Sequence, residues 1–266
     1  MTARALDTIG RLDRRVALVT GGSSGIGQAI STRLAAAGAT VAVVASASRP
    51  KAQGVTNIIR AGGGIAHAFI ADVADPNDVR RLVDEVGSTL GPPSIAINSA
   101  GVWFETPLAE LDDARVDQLV DVNLKGTISV TAAVSPHMVD AGFGSIVNIA
   151  SAAGILPSPR YSVYAATKAA VIMFTKAAAL ELAPLGVAIN AIAPGNTTTP
   201  MNEQIRTHSD HAARRDWIEH TTPSRRAFTP PDEIANVALM LVDGRARGFH
   251  GATLAIDEGR TAGVIS

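Results

Sequence analysis

A tyrosine and a lysine four residues apart, Tyr164 and Lys168, are the side chains of this sequence best suited to proton transfer. Residues at this spacing share one face of an α-helix, so both groups can reach the same site. A free tyrosine has a pKa of ~10, which is too high for ready proton exchange near neutrality. A nearby ammonium favours the phenolate and lowers that pKa. The pair therefore suits general acid and base catalysis on an alcohol or a ketone.

A glycine-rich run from Thr20 to Gly27 lies between a predicted strand and a predicted helix. Small residues at such a junction let backbone N–H groups and the helix N-terminus approach a pyrophosphate. No Gly-Lys-Ser/Thr sequence ends the run, which argues against a Walker-type loop for nucleoside triphosphates. The residues predicted to hold a dinucleotide here are Gly21, Ser23, Ser24, Gly25, Ile26 and Gly27.

The residues after the second predicted strand indicate which dinucleotide binds. NAD sites usually place an acidic residue about 20 positions beyond the first glycine. No Asp or Glu occurs between Gly21 and Asp72, and Ser46, Ser48 and Arg49 occupy the region instead. Hydroxyl groups and a guanidinium suit the oxygen atoms of a 2′-phosphate. We therefore expect a preference for NADP(H), with NAD(H) possible.

Short apolar runs alternate with helix-length segments along the whole chain. The predicted strands cover residues 16–20, 41–44, 65–71, 95–98, 145–149, 187–192 and 253–256. Between the third and fourth strands, Asp75 and Pro76 are placed to cap and open a helix that runs to about Leu90. This alternation predicts an α/β fold, with a mostly parallel, doubly wound sheet covered by helices on both faces. No linker divides the chain, so we expect one domain over 1–266.

The polar stretch of about 195–228 interrupts this alternation, with only weak helical periodicity at 201–205 and 212–218. A long excursion directly after a strand is often a lid or a binding loop. We therefore expect a substrate lid here, with a plain surface insertion as the alternative.

Composition excludes several classes of function. The chain has 266 residues, of which 47% are hydrophobic and 18% charged, as expected of a folded domain. A net charge of −1 offers no basic surface for nucleic acid or an anionic membrane. There is no cysteine, and the six histidines show no metal-ligand spacing, so no metal site is predicted. Residues 1–15 show no apolar signal-peptide core, and no apolar run reaches the ~18 residues of a membrane span, so we expect a cytoplasmic protein.

Taken together and in order, these motifs resemble the short-chain dehydrogenase/reductase family over residues 13–259. The matching motifs are Thr20 to Gly27, Asn98-Ser99-Ala100-Gly101, Asn123, Ser151, Tyr164-x-x-x-Lys168 and Pro194-Gly195. The resemblance implies a Rossmann-type, three-layer fold with seven parallel strands in the order 3-2-1-4-5-6-7. It also implies a nicotinamide dinucleotide across the carboxyl ends of the strands and a homotetramer or homodimer.

The resemblance implies a role for each catalytic residue. Ser151 would hydrogen-bond the substrate oxygen, and Tyr164 would exchange a proton with that oxygen. Lys168 would bind the nicotinamide ribose and lower the pKa of Tyr164, while Asn123 would hold a water that relays protons to Lys168. Further cofactor contacts are implied for Asp72, Val73, Asn98, Ala100, Gly101, Pro194, Gly195, Thr197 and Thr199.

Three positions depart from the expected pattern or compete with it. Ser99 replaces the second asparagine that the family often has after Asn98, and Glu258 stands where the family commonly has a glycine. Tyr161 lies close to Tyr164, but it has Ala165 rather than a cation four residues on. Tyr164 is therefore the predicted catalytic tyrosine.

The substrate is specified less closely than the reaction. Relatives of this length and cofactor pattern are often 3-oxoacyl-[acyl-carrier-protein] reductases, whose carrier-docking arginines correspond to Ser129 and Leu180 here. We therefore expect a small or medium apolar ketone or secondary alcohol, with carrier-linked and steroid-like substrates still open. The predicted pocket residues are Trp103, Phe104, Ile155, Leu156 and Met201. An NAD-dependent sugar or polyol dehydrogenase and a non-enzymatic nucleotide sensor are two further hypotheses that the sequence leaves open.

Overall fold

The computed structural model describes residues 11–263 and shows a sheet of seven parallel strands between two layers of helices. The strands are β1 (Val16–Thr20), β2 (Thr40–Ala45), β3 (Ile65–Ile70), β4 (Ile95–Asn98), β5 (Gly144–Ile149), β6 (Val187–Pro194) and β7 (Thr253–Ile256). Their order is β3-β2-β1-β4-β5-β6-β7, and every neighbouring pair is parallel. The predicted fold class and strand order are confirmed. Residues 1–10 and 264–266 lie outside the described residues. They belong to the predicted domain over 1–266, and residues 1–10 are most of the segment 1–15 in which no signal-peptide core is predicted.

Nine α-helices are found in the part of the chain that the structure describes. They are α1 (Gly25–Ala36), α2 (Arg49–Ala61), α3 (Pro76–Leu90), α4 (Asp113–Val120), α5 (Gly126–Asp140), α6 (Ser162–Leu182), α7 (Glu203–Thr207), α8 (Ala212–Thr221) and α9 (Pro231–Val242). Helix α3 begins as predicted, because the Asp75 carboxylate accepts a hydrogen bond of 2.8 Å from the Asn77 N–H.

Both faces of the sheet are buried, which explains why the strands are continuous apolar runs rather than alternating ones. In β1, Ala17 and Val19 pack into the core on one face, whereas Val16 and Leu18 pack into the core on the other. Because all strands are parallel, their carboxyl ends lie along one edge of the sheet. The predicted motifs after β1, β2, β4, β5 and β6 therefore meet along that edge.

Helices α4 and α5 form one long helix interrupted by a π-helical turn, Asp121–Lys125. Such a turn inserts an extra residue into the helix and is frequent at functional sites. Asn123 lies at its centre and is fully buried.

Helix α6 differs from the sequence-based expectation about membrane spans. By length and composition, the segment Ser162–Leu185 is apolar enough to cross a bilayer, despite the two lysines within it. In the fold, however, Val171, Ala178 and Ala179 of this helix pack into the core beside the sheet. Part of its apolar surface is therefore the packing face of a helix beside the sheet, whereas Met173 and Leu180 are exposed.

The polar excursion after β6 is helical and returns to its starting point. It contains α7 and α8, and its two ends are joined by backbone hydrogen bonds from Thr198 N to Thr229 O (3.0 Å) and from Thr229 N to Asn196 O (2.8 Å). These bonds close the excursion into a flap beside the carboxyl edge of the sheet, and its role as a lid stays a prediction.

Candidate active site

The loop between β1 and α1 depends on glycine at two positions. Gly21 has a φ of +62°, and a Cβ there would lie 2.8 Å from the Ser99 carbonyl oxygen. A Cβ on Gly27 would lie 2.2 Å from the Gly21 carbonyl oxygen, so α1 starts against the loop itself. The backbone N–H groups at the start of α1 are thus presented to the cleft above the sheet, as a pyrophosphate site requires.

Ser151 and Tyr164 meet through their hydroxyl groups. Ser151 follows β5, and its Oγ accepts a hydrogen bond of 3.1 Å from the Ala153 N–H, which fixes the side chain. The Ser151 hydroxyl is near enough to the Tyr164 hydroxyl to favour the phenolate and so to lower the pKa of Tyr164. Burial raises the pKa of Tyr164 above its ordinary value, and the effect of Ser151 offsets only part of that rise.

Lys168 lies one helical turn after Tyr164 and is 5% exposed. Its Nζ donates a 2.9 Å hydrogen bond to the Ile149 carbonyl oxygen and lies 5.9 Å from the centre of the Tyr164 ring. Burial lowers the pKa of Lys168 to about 8. Burial is the main cause of the raised pKa of Tyr164, and the expectation that the Lys168 cation lowers that pKa stays a prediction.

Asn123 clamps the loop that follows β4. Its Oδ1 accepts a hydrogen bond of 2.8 Å from the Val102 N–H, and its Nδ2 donates one of 3.0 Å to the Val102 carbonyl oxygen. A Cβ on Gly101 would lie 3.2 Å from Asn123 Oδ1 and 3.7 Å from Lys168 Nζ, so this loop, Asn123 and Lys168 are in close contact. The direct partner of the asparagine is thus a backbone segment, and its part in a proton relay stays a prediction.

A single cleft of about 410 Å³ joins the glycine loop to the catalytic groups. The predicted residues that line it are Gly21, Ser24, Gly25, Ile26, Gly27, Gly101, Trp103, Ser151, Leu156, Tyr164, Lys168, Pro194, Gly195, Thr197, Thr199 and Met201. The predicted residues outside its wall are Ser23, Ser46, Ser48, Arg49, Asp72, Val73, Asn98, Ala100, Phe104, Asn123 and Ile155. The continuity of the cleft, and a glycine cradle that a Cβ would fill, fit an extended dinucleotide.

Asn98 differs most from its expected surroundings. It is 3% exposed, and its Nδ2 donates hydrogen bonds to Asn148 Oδ1 (2.8 Å) and Thr131 Oγ1 (3.1 Å). Asn148 in turn donates to Thr175 Oγ1 at 2.8 Å. The Asn98 side chain therefore joins β4 to β5 and α5, and through Asn148 to α6, and its predicted contact with the cofactor stays a prediction.

The residues at the carboxyl end of β2 lie at the rim rather than in the cleft. Ser46 and Arg49 are exposed, and Ser48 caps α2 by accepting a hydrogen bond from the Lys51 N–H. The Gly22 N–H donates to the Val44 carbonyl oxygen at 3.0 Å, so this strand end is directly beside the glycine loop. An adenine-side ribose bound at that loop would face these polar groups.

Tyr161 belongs to the wall of the same cleft, although its sequence context carries no catalytic signal. Its ring stacks on Trp103, with centroids 5.0 Å apart, and its hydroxyl accepts a hydrogen bond of 2.8 Å from Arg214. The hydroxyl also donates to Glu105 Oε1 at 3.1 Å, and Glu105 pairs with Arg160 at 2.6 Å. Sequence reasoning missed this cluster because its members come from three separate segments.

The chain matches the model of one protein family and is similar in sequence to several enzymes of known activity. The model of the family described as short chain dehydrogenase matches residues 15–210. The chain is 35% identical over 243 residues to the 3-oxoacyl-[acyl-carrier-protein] reductase FabG of Staphylococcus epidermidis, covering 91% of this chain and 97% of that one. It is 32% identical over 259 residues to the 2,3-dihydro-2,3-dihydroxybenzoate dehydrogenase of Bacillus subtilis, covering 95% and 98%.

A solved structure shows the same likeness in three dimensions. The crystal structure of a gluconate 5-dehydrogenase from Burkholderia cenocepacia, in complex with NADP and tartrate, has a TM-score of 0.91 and 35% sequence identity. The alignment covers 98% of this chain and 100% of that one. The likeness thus extends over the whole sheet and the cleft above it.

The substitution Lys168→Met should change how stability depends on pH. The folded pKa of Lys168 is about 8, whereas an unfolded lysine titrates near ~10.4. Between these values the unfolded chain binds a proton that the folded chain lacks. The free energy of unfolding of the wild type should therefore rise with pH, relative to that of the variant, by up to about 3 kcal/mol.

Urea unfolding from about pH 7 to about pH 10 measures this difference. Lys176→Met is the matched control, because Lys176 is exposed on the same helix. A difference between wild type and Lys168→Met that stays constant over this range would contradict the depressed pKa.

Proposed function

The chain belongs to the short-chain dehydrogenase/reductase family of oxidoreductases, and we propose that it interconverts a ketone and a secondary alcohol with NADP(H) as the preferred cofactor. The observation that carries this proposal is the meeting of Ser151, Tyr164 and Lys168 in the cleft that begins at the glycine loop. A bound NADPH would supply the hydride for reduction of the carbonyl carbon. The chain's own residues orient the substrate oxygen and supply the proton.

The proton-transfer steps follow from the geometry of these side chains. The Ser151 hydroxyl, held by the Ala153 N–H, lies where it can donate to the substrate oxygen. The raised pKa of Tyr164 keeps the phenol protonated at neutral pH, ready to protonate the alkoxide oxygen formed in reduction. Alcohol oxidation needs the phenolate, and the Lys168 cation favours that form at pH values below about 8.

The preference for NADP(H) is supported by the polar end of β2 and by a relative. Ser46 and Arg49 are exposed beside the glycine loop, and no carboxylate occurs between Gly21 and Asp72 to bind the ribose hydroxyls of NAD. The structurally similar gluconate 5-dehydrogenase was crystallised with NADP. A guanidinium that approaches a 2′-phosphate would form charge-assisted hydrogen bonds that NAD(H) cannot accept.

A 3-oxoacyl-[acyl-carrier-protein] reductase is the second candidate, because 35% identity over 91% of the chain relates it to such an enzyme. The surface offers little support for docking an acidic carrier. Leu180, at one of the positions where such reductases commonly have an arginine, is 81% exposed, and Ser129 occupies the other. We therefore favour a free small molecule over a carrier-bound acyl chain.

We also propose that the protein works as a homodimer or homotetramer. Met173 and Leu180, seven residues apart on α6, are 62% and 81% exposed, and Ile128 on α5 is 38% exposed. Residues seven apart share one face of a helix, and large exposed apolar side chains on one face mark an interaction surface. A second copy of the chain would cover this surface.

The whole chain contains no cysteine, and its relatives include bacterial metabolic enzymes named as reductases and dehydrogenases. We propose a cytoplasmic location for this protein. A chain without cysteine is compatible with a reducing compartment, and reductases and dehydrogenases of this kind use the nicotinamide cofactors of the cytoplasm. Cell fractionation with an antibody against the chain tests this location.

The substitution Tyr164→Phe should abolish most of the activity, because it removes the proton donor while leaving the ring in place. Loss of a general acid lowers kcat by about 10²- to 10⁴-fold. Absorbance assays over a panel of ketones and secondary alcohols, with both cofactors, measure the effect. Tyr161→Phe should lower kcat far less. Activity unchanged in Tyr164→Phe would refute the mechanism.

Alcohol oxidation by the wild type should accelerate as the pH rises, since burial raises the pKa of Tyr164 and oxidation needs its phenolate.

The substitution Arg49→Ala should weaken the binding of NADPH more than that of NADH. A lost charge-assisted hydrogen bond corresponds to about a tenfold weaker affinity. Fluorescence titration of each reduced cofactor measures the ratio. Arg80→Ala removes an exposed arginine from α3 and serves as the control. Tighter binding of NADH than of NADPH by the wild type would overturn the proposed preference.

The substitution Leu180→Glu should reduce the molar mass measured by size-exclusion chromatography with light scattering, because it places a charge in the proposed contact between copies. Leu108→Glu is the matched control, since Leu108 is 74% exposed on a different part of the surface. A wild type that is monomeric, or a variant with unchanged mass, would contradict the proposed interface.

A further inference from the structure

The half-buried arginine Arg260 lies in the wall of the cleft, a few residues after β7. Its Nη1 atom is buried and has no hydrogen-bond partner among the described residues. A guanidinium stays charged at every physiological pH, and a buried donor without a partner is costly to a folded protein. Arg260 therefore brings a positive charge to the wall of the cleft, and its buried Nη1 lacks an acceptor among the described residues.

The nearby carboxylates are committed to other groups. The Asp257 carboxylate accepts hydrogen bonds from the N–H groups of Gly259 (3.0 Å) and Thr261 (2.7 Å). Glu258 accepts hydrogen bonds from Ser224 Oγ and Thr229 Oγ1 and pairs with Arg226. These bonds fix the turn that carries Arg260. The charge of Asp257 acts on Arg260 only through space, because the Asp257 carboxylate accepts no hydrogen bond from that guanidinium.

Arg260 and the lid helix α8 form one end of the cleft. The guanidinium carbon of Arg260 lies 5.9 Å from the centre of the Trp217 ring. Arg214 is one turn earlier on α8, so Arg214 and Trp217 share a face of that helix. Both line the cleft, together with the apolar side chains of Ile218 and Phe228.

The charged side chains of the described residues that line the cleft are all positive. Three cationic side chains, Lys168, Arg214 and Arg260, line the cleft, and within residues 11–263 no Asp or Glu does. Arg214 is partly neutralised, because its Nη1 lies 3.7 Å from Glu105 and its Nη2 donates to the Tyr161 hydroxyl. Arg260 is left as the cation best able to bind an anionic group of a ligand.

We propose that the substrate is an oxo acid or hydroxy acid whose carboxylate binds Arg260, with Arg214 contributing from the lid. The proposal rests on the function proposed above, since it names the substrate class for that same cleft. A planar carboxylate matches the fork of a guanidinium and can accept two parallel hydrogen bonds. The carbonyl at Ser151 and Tyr164 and the carboxylate at Arg260 would then fix the substrate at two points, with its apolar part between them.

The test compares acids with their neutral counterparts. Straight-chain oxo acids that differ in the spacing between ketone and carboxylate are assayed with NADPH beside their methyl esters. We expect at least one acid to exceed its ester in kcat/KM by about tenfold or more. Arg260→Gln should remove that advantage, chiefly by raising KM for the acid about tenfold to hundredfold, and should leave KM for the ester nearly unchanged.

Two controls separate this result from other effects. Arg247→Gln removes an exposed arginine outside the cleft and should leave the preference for acids intact, which excludes a general effect of net charge. NADPH affinity, measured by fluorescence, should be unchanged in Arg260→Gln, whereas a tenfold loss would assign Arg260 to the cofactor and overturn the proposal.

Calorimetric titration of the same acids into the NADP⁺-loaded protein distinguishes failure of this inference from failure of the proposed function, because it requires no turnover. Binding of an acid that Arg260→Gln weakens supports the carboxylate site even if no acid is reduced. The proposal is overturned if esters bind as well as acids, if the variant weakens both equally, or if no acid in the series binds. Tighter binding of the corresponding oxo phosphonates than of the acids would replace carboxylate by phosphate as the recognised group, which also overturns it.

Discussion

The hydrogen bond from the Lys168 ammonium to the Ile149 carbonyl oxygen ties helix α6 to the end of strand β5. A buried ammonium is costly unless its donors find acceptors, so this bond restricts how the helix can slide or rotate on the sheet. Ser151 follows Ile149 by two residues, and Tyr164 precedes Lys168 by one helical turn. With the helix fixed at this point, the phenol and the serine hydroxyl lie on the same side of the cleft. The low pKa of the lysine is the electrostatic cost of that arrangement.

Three buried asparagines, Asn98, Asn123 and Asn148, help to hold the strand ends and helix α6 in the positions that bring Ser151, Tyr164 and Lys168 to one cleft. Asn98 and Asn148 link β4 and β5 to each other and, through Thr175, to α6. Asn123 holds the loop after β4 by both of its amide groups, from a π-helical turn that places its side chain inward. Asn98 Oδ1 is the one amide oxygen of these three asparagines that is buried without a partner. The remaining hydrogen bonds restrict the arrangement of the strand ends. The positions of the catalytic groups therefore depend on contacts well outside the cleft.

Much of the fold could be predicted from local patterns. Doubly buried parallel strands are continuous apolar runs, and β1, β4 and β7 have the predicted bounds. Strand β6 extends two residues beyond its prediction, because Pro194 pairs in register with Ile256 of β7, a long-range contact that no local pattern reveals. For the same reason the sequence did not disclose Arg260, or the stacking of Tyr161 on Trp103. Tyr164 and Lys168 were predictable because their relation is carried by helical spacing alone.

The backbone of Glu258 has a φ of +62°, in the left-handed region that favours glycine, and its carboxylate accepts hydrogen bonds from Ser224 and Thr229 at the end of the excursion that follows β6. A side chain at this position has a conformational cost of about 1 kcal/mol, and the hydrogen bonds to Ser224 and Thr229 offset it. The ion pair with Arg226 adds to the same compensation. Across related sequences, a residue other than glycine at this position should therefore occur together with hydrogen-bond donors at the end of the excursion that follows β6. Position 258 and the segment 224–229 would then vary in evolution as a coupled pair.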